Sequence, residues 1–275
     1  MFTGEPSIWE TQEFGPAAVV LSGRTALVTG AAQGLGQAIA VGLARFGASV
    51  AVCDRNGDGL LDTAGLIGDR LVAQQTFNCR DRDRCLEFAA AVTEKGGRLD
   101  ILVNNAGGTY KAPFLDVSPK GEQAMIENNF GTVTGMTRAV VPHMTNGGSI
   151  INVTSVEGHR ACPGVAVYAA MKAAVTSLTM TLALELASRR IRVNTIAPDM
   201  LPSPSTVGEG DAFVGVPNVQ TQPWPEQGSA YDAAAAAVFL ASDLSRFVIG
   251  TTVHVDGGTW VAGGWKALPG GEYRL

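Results

Sequence analysis

The chain has 275 residues, with 20 Lys and Arg against 25 Asp and Glu, a net charge of −5. Hydrophobic residues make up 46% and charged residues 16%, which predicts a large buried core and excludes a disordered chain. The mild acidity argues against a sequence-independent nucleic-acid binder, which needs a basic footprint.

In chain order, residues 1–22 carry the breakers Gly4, Pro6, Gly15 and Pro16 and read as an N-terminal extension. From Thr25 short β-rich runs alternate with Ala/Leu-rich stretches. The strand candidates are 25–29, 48–53, 71–77, 99–104, 148–154, 191–197 and 251–255. Between most of them lie helical segments at Gly34–Phe46, Gly59–Gly68, Arg82–Lys95, Lys120–Met144, Val165–Ser188 and Tyr231–Ser242. The strands are apolar on both faces, as in a parallel sheet covered by helices. The repeated βαβ beat predicts a single doubly wound, Rossmann-type α/β domain over residues 23–258. Residues 199–229, rich in Pro and Gly, are too long for an ordinary connection and read as a substrate lid. Residues 259–275 form a C-terminal tail.

Cys53, Cys79, Cys85 and Cys162 form no CxxC pair and no Cys/His spacing suited to zinc, so no metal site is expected and the thiols read as reduced and structural. The first residues lack the basic and apolar regions of a secretory signal, and no apolar run approaches the ~20 residues that span a bilayer. The expectation is a cytoplasmic protein without membrane or nucleic-acid partners.

Two segments carry chemistry. The first strand runs into Thr29-Gly30-Ala31-Ala32-Gln33-Gly34-Leu35-Gly36 directly before a helix, where glycines let backbone approach a pyrophosphate and free N–H groups face it. The spacing is GxxxGxG rather than GxGxxG, and alone it is equally compatible with plain packing. Asp54 ends the second strand, where a carboxylate can accept both ribose hydroxyls of NAD and repel the 2′-phosphate of NADP. The adjacent Arg55 could instead greet that phosphate. Further on, Tyr168 and Lys172 stand four apart on one helical face. An ammonium beside a phenol stabilises phenolate and draws its pKa toward the working range. Ser155, ending a strand thirteen residues earlier, can hold a carbonyl or alcohol oxygen.

Together these pieces resemble the short-chain dehydrogenase/reductase family. The resemblance rests on TGAAQGLG (29–36), Asp54, NNAG (104–107), Asn129, Ser155, YAAMK (168–172), RVNTIAP (192–198) and DGG (256–258), in the family's order and spacing. It implies that Tyr168 is the acid/base and that Lys172 lowers its pKa and holds the nicotinamide ribose. It further implies that Ser155 orients the reacting oxygen and that Asn129, rather than Asn128, sustains a water-linked proton relay. Gly30, Gln33, Gly34, Leu35, Gly36, Asp54, Asn78, Asn105, Ala106, Gly107, Pro198 and Ser203 are then cofactor contacts, joined by Tyr168 and Lys172, while Asn104 has a structural role. Three positions depart from the family pattern: Asn78 for an Asp at the adenine, Asp199 for a Gly, and Ser203 for a Thr.

The resemblance implies an NAD-dependent oxidoreductase of secondary alcohols and ketones, acting as a homotetramer. The alternatives are an NADPH-dependent 3-oxoacyl-thioester reductase, disfavoured by the uncharged Gln33, and a non-catalytic dinucleotide sensor or scaffold. Glu157, His159 and Arg160 could read a polar substrate, and Phe213, Val214, Val216 and Trp224 could close an apolar lid. Trp260, Val261, Trp265 and Leu268 of the tail are expected to cover a neighbouring subunit or the lid.

Overall fold

The computed structural model describes residues 15–202 and 222–264, together with the backbone of residues 266–267 and 273–274. Seven parallel strands form one sheet: β1 (Thr25–Thr29), β2 (Ser49–Asp54), β3 (Leu71–Thr76), β4 (Ile101–Asn104), β5 (Gly148–Val153), β6 (Ile191–Pro198) and β7 (Thr252–Val255). Their order is β3-β2-β1-β4-β5-β6-β7. The chain winds outward from β1 to β3, then returns to place β4 on the other side of β1. That reversal opens a crevice beyond the carboxyl ends of β1 and β4, where doubly wound sheets take their ligands.

Alternation along each strand divides the core in two. Ala26 and Val28 of β1 pack with Ile39 and Leu43 of α1 (Gly34–Arg45), Leu60 of α2 (Gly57–Ile67) and Val238 of α7 (Ala230–Ala241). Leu27, between them, points to the opposite face, where it joins a core with Phe88 and Val92 of α3 (Arg82–Gly96). That second layer is completed by α4 (Pro119–Ile126), α5 (Thr132–Val140) and α6 (Ala166–Glu185). Each large side chain so buried contributes about 1.5–3 kcal/mol. Some of the buried polar residues of the sheet join in a ladder. Asn104 Nδ2 donates to Asn152 Oδ1 (2.8 Å) and Thr137 Oγ1 (3.0 Å), and Asn152 Nδ2 donates to Thr179 Oγ1 (2.8 Å). This ladder ties β4 and β5 to α5 and α6, which is the structural role expected of Asn104.

The predicted elements are present with ends moved by at most three residues, with one exception. The segment expected as a single helix over 120–144 is interrupted. α4 gives way to a π-helical turn at Glu127–Gly131, then α5, then a 3₁₀ turn at Val141–His143. Thr132 N–H reaches the Glu127 carbonyl five residues back. The cause is local: Asn129 turns its amide onto the Met125 carbonyl at 2.9 Å, competing with the regular ladder.

One helix bears on the expectation about membrane spans. α6 is 20 residues long with a mean hydropathy of 1.4, long and apolar enough by length and composition to cross a bilayer. Its Ala, Val, Met and Leu residues raise the mean without forming an unbroken run. Val175, Thr179 and Ala183 face the sheet, while Met180 and Leu184 are exposed. After β7, a four-residue helix α8 (Thr259–Ala262) leads into a short antiparallel pair, Lys266–Ala267 with Tyr273–Arg274.

Candidate active site

β1 enters the glycine turn at Thr29, whose hydroxyl organises the crevice floor. Thr29 Oγ1 accepts the N–H groups of Asn105 (3.1 Å) and Ala106 (3.0 Å) and donates to the Val103 carbonyl (3.3 Å). Asn105 answers by donating its amide to the carbonyls of Gly30 (2.9 Å) and Thr29 (3.2 Å). Its side chain is thus committed to shaping the turn. Gly30 stands at φ 65°, and a Cβ there would come within 2.8 Å of Ala106 Cα. A Cβ on Gly36 would run into the Gly30 carbonyl oxygen. Only glycine lets the turn, the β4 loop and the start of α1 meet so closely. Gln33, at the N-cap of α1, makes no side-chain cap, so the first N–H groups of that helix remain available to an anion.

Beside the turn lies a cleft of about 310 Å³ lined by Gly30, Asp54, Asn78, Ala106 and Gly107, five of the expected cofactor contacts, and by Arg55. Asp54 Oδ2 accepts the Ala32 N–H at 3.1 Å and Oδ1 accepts the Asn56 N–H at 3.0 Å. These backbone donors fix the carboxylate and leave each oxygen a second lone pair for a ligand hydroxyl. Asn78 Oδ1 is used by Arg80 N–H at 3.1 Å, leaving its amide N–H₂ as the group to face a base. Gln33 is exposed and Leu35 half-buried against the core, and Pro198 is buried at the end of β6. Ser203, Phe213, Val214, Val216, Trp265 and Leu268 lie outside the described residues.

Ser155, Tyr168, Lys172 and Asn129 meet at the mouth of the crevice. Ser155 caps a 3₁₀ turn at Val156–Gly158, accepting the Glu157 N–H at 3.2 Å, and its hydroxyl lies near the Tyr168 phenol, whose pKa it lowers. Gly158 holds that turn flat on α6: a Cβ there would come 3.0–3.1 Å from backbone of Lys172 and Ala173 and from Lys172 Cβ. Lys172 is buried, donates to the Val153 carbonyl at 2.9 Å, and places Nζ 5.5 Å from the Tyr168 ring centroid. Asn129 is fully buried in the π turn, donates to Gly108 O (2.8 Å), and accepts the Gly108 N–H at 3.2 Å. A Cβ built on Gly107 would lie 2.8 Å from Asn129 Oδ1 and 3.5 Å from Lys172 Nζ, so both polar ends border the same space. Asn128 lines the dinucleotide cleft instead.

Burial pushes the Lys172 ammonium down to about 8. Burial likewise raises Tyr168 above its ordinary value; the Ser155 hydroxyl opposes this, and Glu157 and Cys162 add to it. Desolvation is thus the largest influence on the phenol.

On the substrate side Arg160 bridges Glu157 (2.7 Å) and Asp199 (3.5 Å). Asp199, in place of a glycine, thereby ties the end of β6 to the turn after Ser155. His159 and His254 meet with ring centroids 4.8 Å apart, and Trp260 stacks on His254 at 4.1 Å and 4°. Burial lowers both imidazoles. This cluster joins residues about a hundred positions apart, and no periodicity in the sequence announces it. It also places Trp260, 41% exposed, on its own subunit. Among the described residues no metal-binding group of three or more His, Cys, Asp or Glu comes together, and the four cysteines are free.

A family model described as enoyl-(acyl carrier protein) reductase matches residues 30–259. The chain is 39% identical to a 3-oxoacyl-(acyl-carrier-protein) reductase of Thermotoga maritima over 246 residues, covering 86% of this chain and 98% of that one. It is 36% identical to a gluconate 5-dehydrogenase of Gluconobacter oxydans, covering 88% and 96%. Among solved structures, a carveol dehydrogenase of Mycobacterium avium in complex with NAD superposes with a TM-score of 0.82 at 30% identity, over 88% of this chain and 99% of that one.

Proposed function

The chain belongs to the short-chain dehydrogenase/reductase family and acts on alcohol and ketone substrates with NAD(P); from that premise we propose that it is an NAD-dependent secondary-alcohol dehydrogenase or ketone reductase worked by Ser155, Tyr168, Lys172 and Asn129. The observation that carries this reading is the convergence of the four side chains at the crevice mouth, beside a cleft with an anchored Asp54. A nicotinamide held beside these side chains would supply hydride acceptance in oxidation and hydride donation in reduction. In oxidation, Tyr168 takes the hydroxyl proton as the carbinol hydride leaves, and in reduction it gives that proton to the carbonyl oxygen. Ser155 holds the reacting oxygen in hydrogen-bond reach of Tyr168. Lys172 supplies positive charge behind the phenol, and Asn129, bordering the same space, continues the polar path inward. The test of the activity is a panel of secondary alcohols and ketones with NAD(H) and NADP(H), followed at the nicotinamide absorbance band.

The preference for NAD rests on Asp54, which a 2′-phosphate would meet with like-charge repulsion. Asp54→Ala is expected to narrow the ratio of kcat/KM for NAD over NADP by about tenfold or more, or to reverse it with the help of Arg55. Equal kcat/KM for the two cofactors in the unmodified protein would refute the preference and favour the reading as an NADPH-dependent 3-oxoacyl-thioester reductase, the activity named for the Thermotoga relative.

The proposed setting is the cytoplasm and the proposed assembly a homotetramer. The exposed Met180 and Leu184 on α6 and Phe247, 93% exposed, are apolar groups suited to subunit contacts. Light scattering at micromolar concentration is expected to give about four times the 28.5 kDa subunit mass. A 28.5 kDa species would refute the assembly.

A further inference from the structure

At the end of the sheet opposite the active site, where β1, β4, β5 and β6 begin, a hollow of about 540 Å³ opens to solvent. Arg24, Arg98, Arg190, Arg192 and Arg246 line it, with Asp100 and Asp243 the acidic residues among its described lining. The chain has 20 Lys and Arg and a net charge of −5, so a quarter of its cations surround a single concavity with an excess of about three positive charges.

The two acids are already taken. Arg98 Nε donates to both oxygens of Asp100, at 2.7 and 2.8 Å, and Asp100 also accepts the Thr25 N–H at 2.9 Å. Arg24 meets Asp243 at 2.6 Å and donates to the Ala241 carbonyl at 2.7 Å. The other three guanidiniums make no ion pair with the described residues. Arg192 has only neutral partners, Ser245 Oγ at 2.9 Å and Ser242 O at 3.3 Å. Burial, with Arg24 beside it, outweighs the pull of Asp243 and pushes Arg192 down to about 10, so it stays cationic at neutral pH. The side chains of Arg190 and Arg246 make no hydrogen bond or ion pair with the described residues, and both are exposed to the hollow's solvent.

Arg190 is also in a costly conformation. At φ 58° it is the one non-glycine residue at positive φ among those described. Its carbonyl accepts the Gly148 N–H at 3.1 Å, and a Cβ on Gly147, itself at φ 80°, would come 2.7 Å from that oxygen. The backbone therefore requires a left-handed residue here, a position glycine fills with less strain. An arginine in its place puts a guanidinium on the rim of the hollow at the expense of backbone ease. All five cations are arginines, whose planar forks match tetrahedral oxyanions in pairs of hydrogen bonds. The volume exceeds what one such ion fills and accommodates several linked ones.

We propose that this hollow binds a small polyanion of the phosphate type, carrying two or more charges, at a site separate from the cofactor cleft. The probe is tripolyphosphate, titrated calorimetrically into the full-length protein with NAD or NADP present at saturation, so that the cofactor cleft is filled. One site per subunit is expected, with affinity that weakens as salt is raised. Arg190→Gly combined with Arg246→Gln is expected to weaken it by at least about tenfold. Glycine suits the backbone at 190 and Arg246 is exposed, so the double variant is expected to keep its melting temperature and its turnover. A parallel titration with ATP separates the possible sources of the phosphates. Affinity equal to that of tripolyphosphate means the phosphates alone are read, and tighter binding means a nucleotide is the ligand. Absence of binding at millimolar tripolyphosphate, or equal affinity in the double variant, overturns the proposal.

Discussion

Tyr168→Phe is expected to lower kcat by about 10²–10⁴-fold while leaving cofactor affinity within a small factor of normal. The phenol lies between Ser155, whose hydroxyl lowers its pKa, and the Lys172 ammonium 5.5 Å from its ring centroid. Removing one oxygen deletes the group that carries the proton and keeps the ring that packs at the start of α6. Ser155 keeps its bond to the Glu157 N–H at 3.2 Å, so the 3₁₀ turn should persist. The effect is therefore assigned to chemistry and is read in kcat, with dinucleotide binding measured separately by calorimetry. Near-normal kcat would remove Tyr168 from the acid/base role, and loss of dinucleotide binding in step with kcat would mark the hydroxyl as structural.

How much of this site the sequence discloses depends on the range of the interactions that build it. The glycine turn and the Tyr168–Lys172 pair are local: a strand followed by GxxxGxG and a helix, or two side chains one helical turn apart, leave their mark in short windows. The sheet was legible for the same reason, since strands buried on both faces read as apolar runs between helical stretches. Asn129 was legible as a residue, but its setting was not. Its burial depends on a π turn produced by a side chain bonding the carbonyl four residues back, and helical periodicity carries no trace of that competition. Asn105 shows a related limit. Its position in NNAG suggests a cofactor contact, and no local pattern shows that its amide also holds Thr29 and Gly30, about 75 residues earlier. The clustering of His159, His254 and Trp260, and of five arginines from three strand beginnings and the segment after α7, arises only when the sheet brings distant ends together. Charge and aromatic content show that such residues exist, not where they meet.

Lys172→Met is expected to cost about 10²-fold or more in kcat near pH 7, to move the pH midpoint of alcohol oxidation upward, and to leave the fold intact. The magnitudes come from opposing terms. A buried ammonium pushed from 10.5 to about 8 disfavours the folded state by roughly 3 kcal/mol while it is charged. Its folded pKa is depressed, so both states are protonated below pH 8 and the full cost is present there. Taken alone, this group's cost fades as pH rises from about 8 to 10.5. Methionine keeps the apolar stem and removes that cost, but strands the Val153 carbonyl, which accepts from Nζ at 2.9 Å; an unsatisfied buried acceptor costs about 1–3 kcal/mol. The two nearly cancel, so the melting temperature should change little. Catalysis has no such compensation. A unit positive charge 5.5 Å from the ring favours phenolate by about 3 kcal/mol at an effective dielectric of ~20, equivalent to roughly two pH units on Tyr168. Oxidation needs the phenolate, so removing the charge carries the rising limb of the kcat–pH profile to higher pH by about one to two units. A purely structural Lys172 would lower kcat evenly across the profile and leave the midpoint in place. That outcome would assign Lys172 to holding β5 against α6 and leave the charge behind Tyr168 without a catalytic role.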